Sequence, residues 1–537
     1  MMMSRRSENA VKRRNGERRR ENKHKMKNSS SSSSSSLLRG LRTSLGMSLV
    51  ARVLSFLMNL VLARRVDRRE YGVGMISMEL LYSLGLFLLK EGFRRAAIRL
   101  IGEDKTGRSS MFIVWIGVAT TILVSLGLST LWFATTDPRE SEQRVAIWFM
   151  FVAVFIETVA EPLLISEIHE KRLSTKPVVE GVSQILRSSS LCASVILLEM
   201  NFVKAYALAQ IIHSISWYIG MLWYAGQERM MWTLKGMYVP KTEERNDKNA
   251  LTLQILLSAG QKMLLGKGER ILLVTIFNEE TWGVYALVSN FGSLVLRTVF
   301  APIEEVAYSY FSSEEKKKSR DSVVRVLLTL QGTIGFIGLV FGPPNSFFAL
   351  KLLYGSKWAE TYDAVSTLQF YCVFLFFAAL NGVFEAYVHA IADAGWMKRN
   401  LVFQMFCSGV LCASAFAFQS LQSRSLVVAN SICMLLRILR CISFMKGPWN
   451  WIYTTVTPMF TWIMISSYIA RTTAYFTEAY VFDKAGVRKS FFVRLAIHVV
   501  ITAVCLTIAL WNVRHTLIGL LRTLRGLKED TKKRKVT

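Results

Sequence analysis

"YGVGMISMELLYSLGLFLLKEGFRRAAIR" runs from Tyr71 to Arg99, and its reading decides the class of the chain. The apolar run from Tyr71 to Leu89 is long enough, at about 1.5 Å of helical rise per residue, to cross most of a hydrocarbon core of roughly 30 Å. It then closes on Lys90, Glu91, Arg94, Arg95 and Arg99. Stretches of the same kind recur along almost the whole chain after residue 43. The 537 residues are 52% hydrophobic, with a mean hydropathy of +0.31. That is more apolar than an ordinary soluble domain. The expected fold is therefore an all-α polytopic membrane protein with about 14 transmembrane helices.

The expected organisation has six parts. Residues 1–43 are a basic, serine-rich arm with no apolar periodicity and no means of burying a core, so disorder is expected there. Residues 44–226 form one six-helix lobe, 227–250 a cytosolic linker, and 251–445 a second six-helix lobe. Two trailing helices follow in 446–517, then a basic tail in 518–537. Short loops rich in Lys and Arg stay on the cytosolic side, and most of the basic loops fall on one side when both termini are cytosolic. Two loops disagree: "RRVDRRE" (Arg64 to Glu70) and "KAGVRKS" (Lys484 to Ser490) put positive charge on the far side.

Several function classes find no support. There is no G-x-x-x-x-G-K-[ST] and no kinase or hydrolase motif, so nothing couples the chain to ATP and no enzyme is indicated. The seven cysteines lie within expected spans without metal-ligand spacing, and the six histidines are scattered. No metal or cofactor is expected. The net charge of +28 in a chain of many spans suits anionic lipid headgroups rather than nucleic acid. Lys533 and Lys535 have the spacing of a dilysine retrieval signal to the endoplasmic reticulum.

What stands out is charge inside the spans, which is costly there and faces a cavity or a partner. Arg52, Glu157, Glu161, Glu180, Arg187, Glu269, Arg270, Arg297, Glu385, Arg437 and Arg440 all fall in apolar stretches. An internal repeat supports a transport path. "YGV" at Tyr71 and "WGV" at Trp282 each open a span that ends in charge, at an offset of 211 residues, which sets Arg94 opposite Glu305. Duplicated halves are common in transporters.

"RVLSFLMNLVLAR", "LLYSLGLFLLKEGFRRA", "ETVAEP", "GERILLVTIFNEETWGVYALVSNFGSLVLRTVFAPIEE" and "LNGVFEA" resemble the oligosaccharide-lipid translocation family of the endoplasmic reticulum, named from the phrase "requiring fifty-three". The resemblance runs from about Ser44 to beyond Glu385. It implies the multidrug, oligosaccharidyl-lipid and polysaccharide exporter superfamily, with two pseudo-symmetric six-helix lobes about a central cavity and two trailing helices. The implied activity is ATP-independent movement of a dolichol-diphosphate heptasaccharide (five mannoses, two N-acetylglucosamines) from cytosol to lumen for protein N-glycosylation. Implied partners are that glycolipid, membrane lipid and proteins of the glycosylation machinery. A cation-coupled exporter of the same fold and a non-transporting scaffold are the alternatives.

Guanidinium groups bind a diphosphate through paired charge-assisted hydrogen bonds. That chemistry points to Arg94 and Arg95, and the resemblance implies a substrate-binding set of Arg52, Lys90, Arg94, Arg95, Arg270 and Arg297. Glu91, Glu157, Glu161, Glu269, Glu304 and Glu305 are expected as gate or charge partners. Arg94 or Arg95 would meet Glu304 or Glu305 across the cavity when it is open to the lumen, and stand free for the diphosphate when it is open to the cytosol.

Overall fold

The computed structural model describes residues 53–101, 108–170, 175–235, 266–312, 320–445, 457–476 and 496–508, with isolated positions at 51, 260, 263, 493, 510, 511, 514 and 518. Among them there is no strand. The helices, in chain order, are α1 (53–65), α2 (Arg68–Arg99), α3 (Arg108–Thr135), α4 (Ser141–His169), α5 (Thr175–Ile196), α6 (Phe202–Lys235) and α7 (266–276). Then come α8 (Glu279–Ser312), α9 (Arg320–Tyr354), α10 (Tyr362–Ile391), α11 (Ala394–Ala417), α12 (Ser423–Phe444), α13 (Thr457–Phe476) and α14 (496–508). Among the described residues eight helices are long and apolar enough to cross a membrane. The basic arm, the linker beyond Lys235, the basic tail, the "KAGVRKS" loop and Arg52 lie outside the described residues.

Packing is dense within 53–235, where α6 lies along α4 and α5. It is equally dense within 266–445, where α10 lies along α9 and α12. The two halves meet chiefly where the start of α2 crosses α8. That crossing is built from the repeated motif itself. Asp67 caps α2 by accepting from the Arg69 amide, and Asn278, at the equivalent position, caps α8 by accepting from the Thr281 amide; such caps satisfy otherwise orphaned donors. Gly72 and Gly283 are also equivalent. A Cβ on Gly72 would lie 2.4 Å from the Glu279 carbonyl oxygen, and one on Gly283 would lie 2.1 Å from the Arg68 carbonyl oxygen. Only glycine permits so close an approach of two backbones. The contact has the reciprocity of a two-fold axis, because Arg68 and Glu279 are themselves one repeat offset apart.

A core of both halves gathers around this crossing: Leu62, Tyr71, Phe202, Trp282, Tyr354 and Trp358 are buried together. Tyr71 stacks on Phe202 at 5.6 Å and meets the Trp358 edge at 5.9 Å between ring centroids. The Trp358 indole donates to the Ala63 carbonyl at 2.7 Å.

The basic loop that departed from the charge rule is bound up in the same end of the bundle. Arg64 donates to the carbonyls of Leu352 and Leu353 in the last turn of α9, where the helix dipole favours a cation. Arg68 donates to the Lys357 carbonyl. Arg69 pairs with Glu140, at 2.8 Å, and with Glu279. Lys357 returns the contact, 2.9 Å from Asp67 and 3.1 Å from the Val66 carbonyl. All but the Arg69–Glu140 pair join one half to the other, and together they close this end of the molecule, which is called the latch below.

Candidate functional site

Beneath the latch, between α1, α2 and α5 on one side and α7, α8 and α12 on the other, lies a cavity of about 860 Å³. It reaches the first turn of α5 at Lys176 and Pro177, and Arg297 and Thr298 on α8, which is the end opposite the latch. Of the expected site residues, Glu269, Arg270 and Arg297 line it. One Arg270 guanidinium nitrogen, Nη1, is buried without a hydrogen-bond partner among the described residues.

The other expected cations are placed differently. Lys90 and Arg94 sit four apart on α2, and Glu157 and Glu161 sit four apart on α4, so the two helices face each other as a two-rung ladder. Lys90 Nζ lies 2.5 Å from Glu157, and the Tyr82 hydroxyl donates to the same carboxylate. Arg94 grips Glu161 with two nitrogens, Nη2 at 2.7 Å and Nε. Glu157 and Glu161 are fully buried, and a charge in that position is tolerated only when paired and hydrogen-bonded. None of the four lines the cavity. Arg95 and Glu91 pair with each other on one turn of α2, half-exposed.

In this structure Arg94 does not stand free: burial inside the first half demands a carboxylate, and Glu161 supplies it. Nor does Arg94 meet α8 here. Glu304 accepts from Gln331 on α9 at 3.1 Å and lies against Gly382 on α10, while Glu305 is exposed. Arg94 and Glu304 are thus each held within their own half.

The sequence reading passed over Glu79 and left Arg187 unassigned, and both line the cavity with Tyr206. Arg187 Nη2 donates to Glu79 at 3.2 Å and to the Tyr206 hydroxyl at 2.5 Å, and that hydroxyl donates to Glu79 at 2.8 Å. The signal that could have found Glu79 is its solitary charge within an otherwise apolar run. Hydroxyl and amide groups complete the walls. Ser55 and Ser188 bond at 2.8 Å, and Asn59, Gln184, Asn290 and Asn430 face the same space. Among the described residues no group of His, Cys, Asp or Glu is placed to hold a metal ion.

The sequence pattern of the Rft protein family matches residues 36–522. The chain belongs to that family. Among the curated relatives, the Man(5)GlcNAc(2)-PP-dolichol translocation protein RFT1 of Dictyostelium discoideum is 26% identical over 408 residues, covering 66% of this chain and 75% of its own length. The protein of the same name from Schizosaccharomyces pombe is 27% identical over 446 residues, covering 76% and 82%. Among solved structures, this Rft chain is similar to the lipid II flippase MurJ in an inward closed conformation, with a TM-score of 0.60 at 13% identity over 88% of this chain and 99% of the other. It is also similar to an inward-facing multidrug resistance MATE family transporter of the MOP superfamily, with a TM-score of 0.51 at 13% identity over 74% and 94%. The Rft chain thus shares its fold with these two structures.

Proposed function

We propose that this chain is a non-enzymatic carrier that moves the dolichol-diphosphate-linked Man5GlcNAc2 oligosaccharide from the cytosolic to the lumenal leaflet of the endoplasmic reticulum membrane, without ATP, for protein N-glycosylation. The names of the family relatives support the substrate. The observation that carries the reading is Arg270 Nη1, a donor buried in a cavity between the halves and without a hydrogen-bond partner among the described residues. An unsatisfied cationic donor within a membrane calls for an anion, and a lipid diphosphate brings one at membrane depth. Arg270 and Arg297 bind the diphosphate in this scheme. Lys90 and Arg94, held by Glu157 and Glu161, give way to it only if those rungs open, and Arg95 draws the headgroup toward the mouth.

With both termini cytosolic, the latch lies on the lumenal side and the mouth at Lys176 and Arg297 faces the cytosol. The basic loop "RRVDRRE" then stays on the far side of the membrane because its charges are engaged. In the opposite state, Arg94 or Arg95 exchanging onto Glu304 or Glu305 remains the device that closes the cytosolic end. A cation-coupled exporter would use carboxylates that cycle protons, and the rungs engage Glu157 and Glu161 with cations instead.

The test is reconstitution of the purified protein into vesicles with a fluorescent dolichol-diphosphate oligosaccharide, scoring its accessibility on each leaflet. Wild type is expected to equilibrate the two pools and Arg270→Gln to slow that exchange about tenfold or more, since a charge-assisted bond is worth about 1.5–3 kcal/mol. Failure of the wild type to move the lipid would leave a scaffold of the glycosylation machinery.

A further inference from the structure

Three polar atoms in the wall of the cavity have no protein partner among the described residues, and they are not alike. Arg270 Nη1 and Asn290 Nδ2 are donors, each buried and unbonded. The third is an acceptor. Both hydrogen bonds to Glu79 end on Oε2, from Arg187 and from Tyr206, which leaves Oε1 without one. The Tyr71 hydroxyl is likewise buried without a hydrogen-bond partner among the described residues. Glu79 and Arg270 line the same cavity, so acceptor and cation are contributed to one space by opposite halves.

A diphosphate accounts for Arg270. It accounts for Glu79 not at all, because phosphate oxygens only accept and their charge repels a carboxylate. A hydroxyl both donates and accepts, so a polyol satisfies Glu79 Oε1 with its hydrogen and Asn290 Nδ2 with its oxygen. Arg187 and Tyr206 fix the Glu79 carboxylate in place, which lowers the ordering cost of binding.

We infer that Glu79 and Asn290 form a sugar-reading subsite next to the diphosphate site, where hydroxyl groups of the first sugar on the lipid diphosphate bridge α2 of one half and α8 of the other. Arg187 and Tyr206 are its positioning residues. The inference rests on the substrate reading above, and it adds a specificity that charge alone lacks: a bare lipid diphosphate fills the cation site but leaves Glu79 Oε1 and Asn290 Nδ2 without partners. Sites built to hydrogen-bond a hydroxyl reject ligands that lack it, because buried polar groups are then stranded.

The test compares the affinity of the purified full-length chain for two probes, farnesyl diphosphate and the same diphosphate carrying one N-acetylglucosamine. Wild type is expected to prefer the glycosylated probe by at least about tenfold, the equivalent of one charge-assisted bond. Glu79→Gln should reduce that ratio to within about twofold; any effect of the lost negative charge on Arg270 acts on both probes and cancels in the ratio. Asn290→Ala, from the other half, should reduce the ratio without touching the Glu79 network, and it stands as the variant to use if Glu79→Gln does not fold. Equal affinity of wild type for the two probes overturns the sugar subsite while leaving the diphosphate site intact. A preference that survives both substitutions overturns it as well. If neither probe binds, the substrate reading falls and the subsite with it.

Discussion

At the scale of single residues, the same side-chain chemistry serves two ends depending on what faces it. Arg94 and Arg270 are both arginines in apolar helices, yet one is gripped by Glu161 and the other turns a bare nitrogen into a cavity. Removing the carboxylate from the gripped one exposes the difference. Glu161→Ala leaves a buried guanidinium without compensation and is expected to destabilise the protein by about 3–5 kcal/mol. Glu91→Ala breaks the half-exposed pair with Arg95 and should cost no more than about 1 kcal/mol. Thermal unfolding of the two variants in the same detergent checks the order, and equal losses would mean that the ladder is not buried. That these positions carry charge inside spans was legible in the sequence. Which charge meets which was not, because the spacing of four on α2 and the spacing of four on α4 become a pair only when the helices cross, and crossing is set by packing far from either motif. Glu79 was harder still: a lone carboxylate in an apolar run reads as tolerated polarity until Arg187 and Tyr206 are seen beside it.

At the scale of elements, helix ends do more than the sequence suggested. The repeat was visible as two aromatic-Gly-Val starts, and the structure shows that the starts touch, each capped at the equivalent position by Asp67 or Asn278. Asp67 also serves the latch, and its hydrogen bond with Lys357 holds its carboxyl below the usual aspartate range. Because the folded value is the lower one, this contribution is complete above the ordinary pKa of about 4 and fades as pH falls through the folded value. The stability difference between wild type and Asp67→Asn, measured by unfolding at a series of pH values, should stay constant from about pH 7 to 5 and shrink below about 4. A difference that is constant throughout would take Asp67 out of the latch. The all-helical, many-spanning class was legible because a hydrocarbon core leaves a coarse, robust hydropathy signal. The two turns of π-helix within α2, at Val73–Met78 and Leu88–Phe93, were not. They depend on one extra residue being accommodated in a hydrogen-bond ladder, which no periodicity of side chains records.

At the scale of the whole molecule, two halves share a core at the latch end and part around a cavity toward the other. Their meeting point is two glycines with backbone against backbone, and that contact sets a population as well as a position. A methyl group at residue 283 has no flexible side chain to push aside, only the Arg68 carbonyl, so Gly283→Ala is paid for by every molecule whose latch is shut and by none whose latch is open. A penalty confined to one of two conformers moves the equilibrium between them by its full size, and about 1.4 kcal/mol is already a tenfold change. Cysteines introduced at Asp67 and Lys357, which lie in contact when the latch is closed, should cross-link readily in the wild-type background and several-fold less with Gly283→Ala. Undiminished cross-linking would mean that the closed conformer absorbs the methyl group. The smallest residue in the chain would then act as a thermodynamic weight, deciding how long the carrier waits with one face shut.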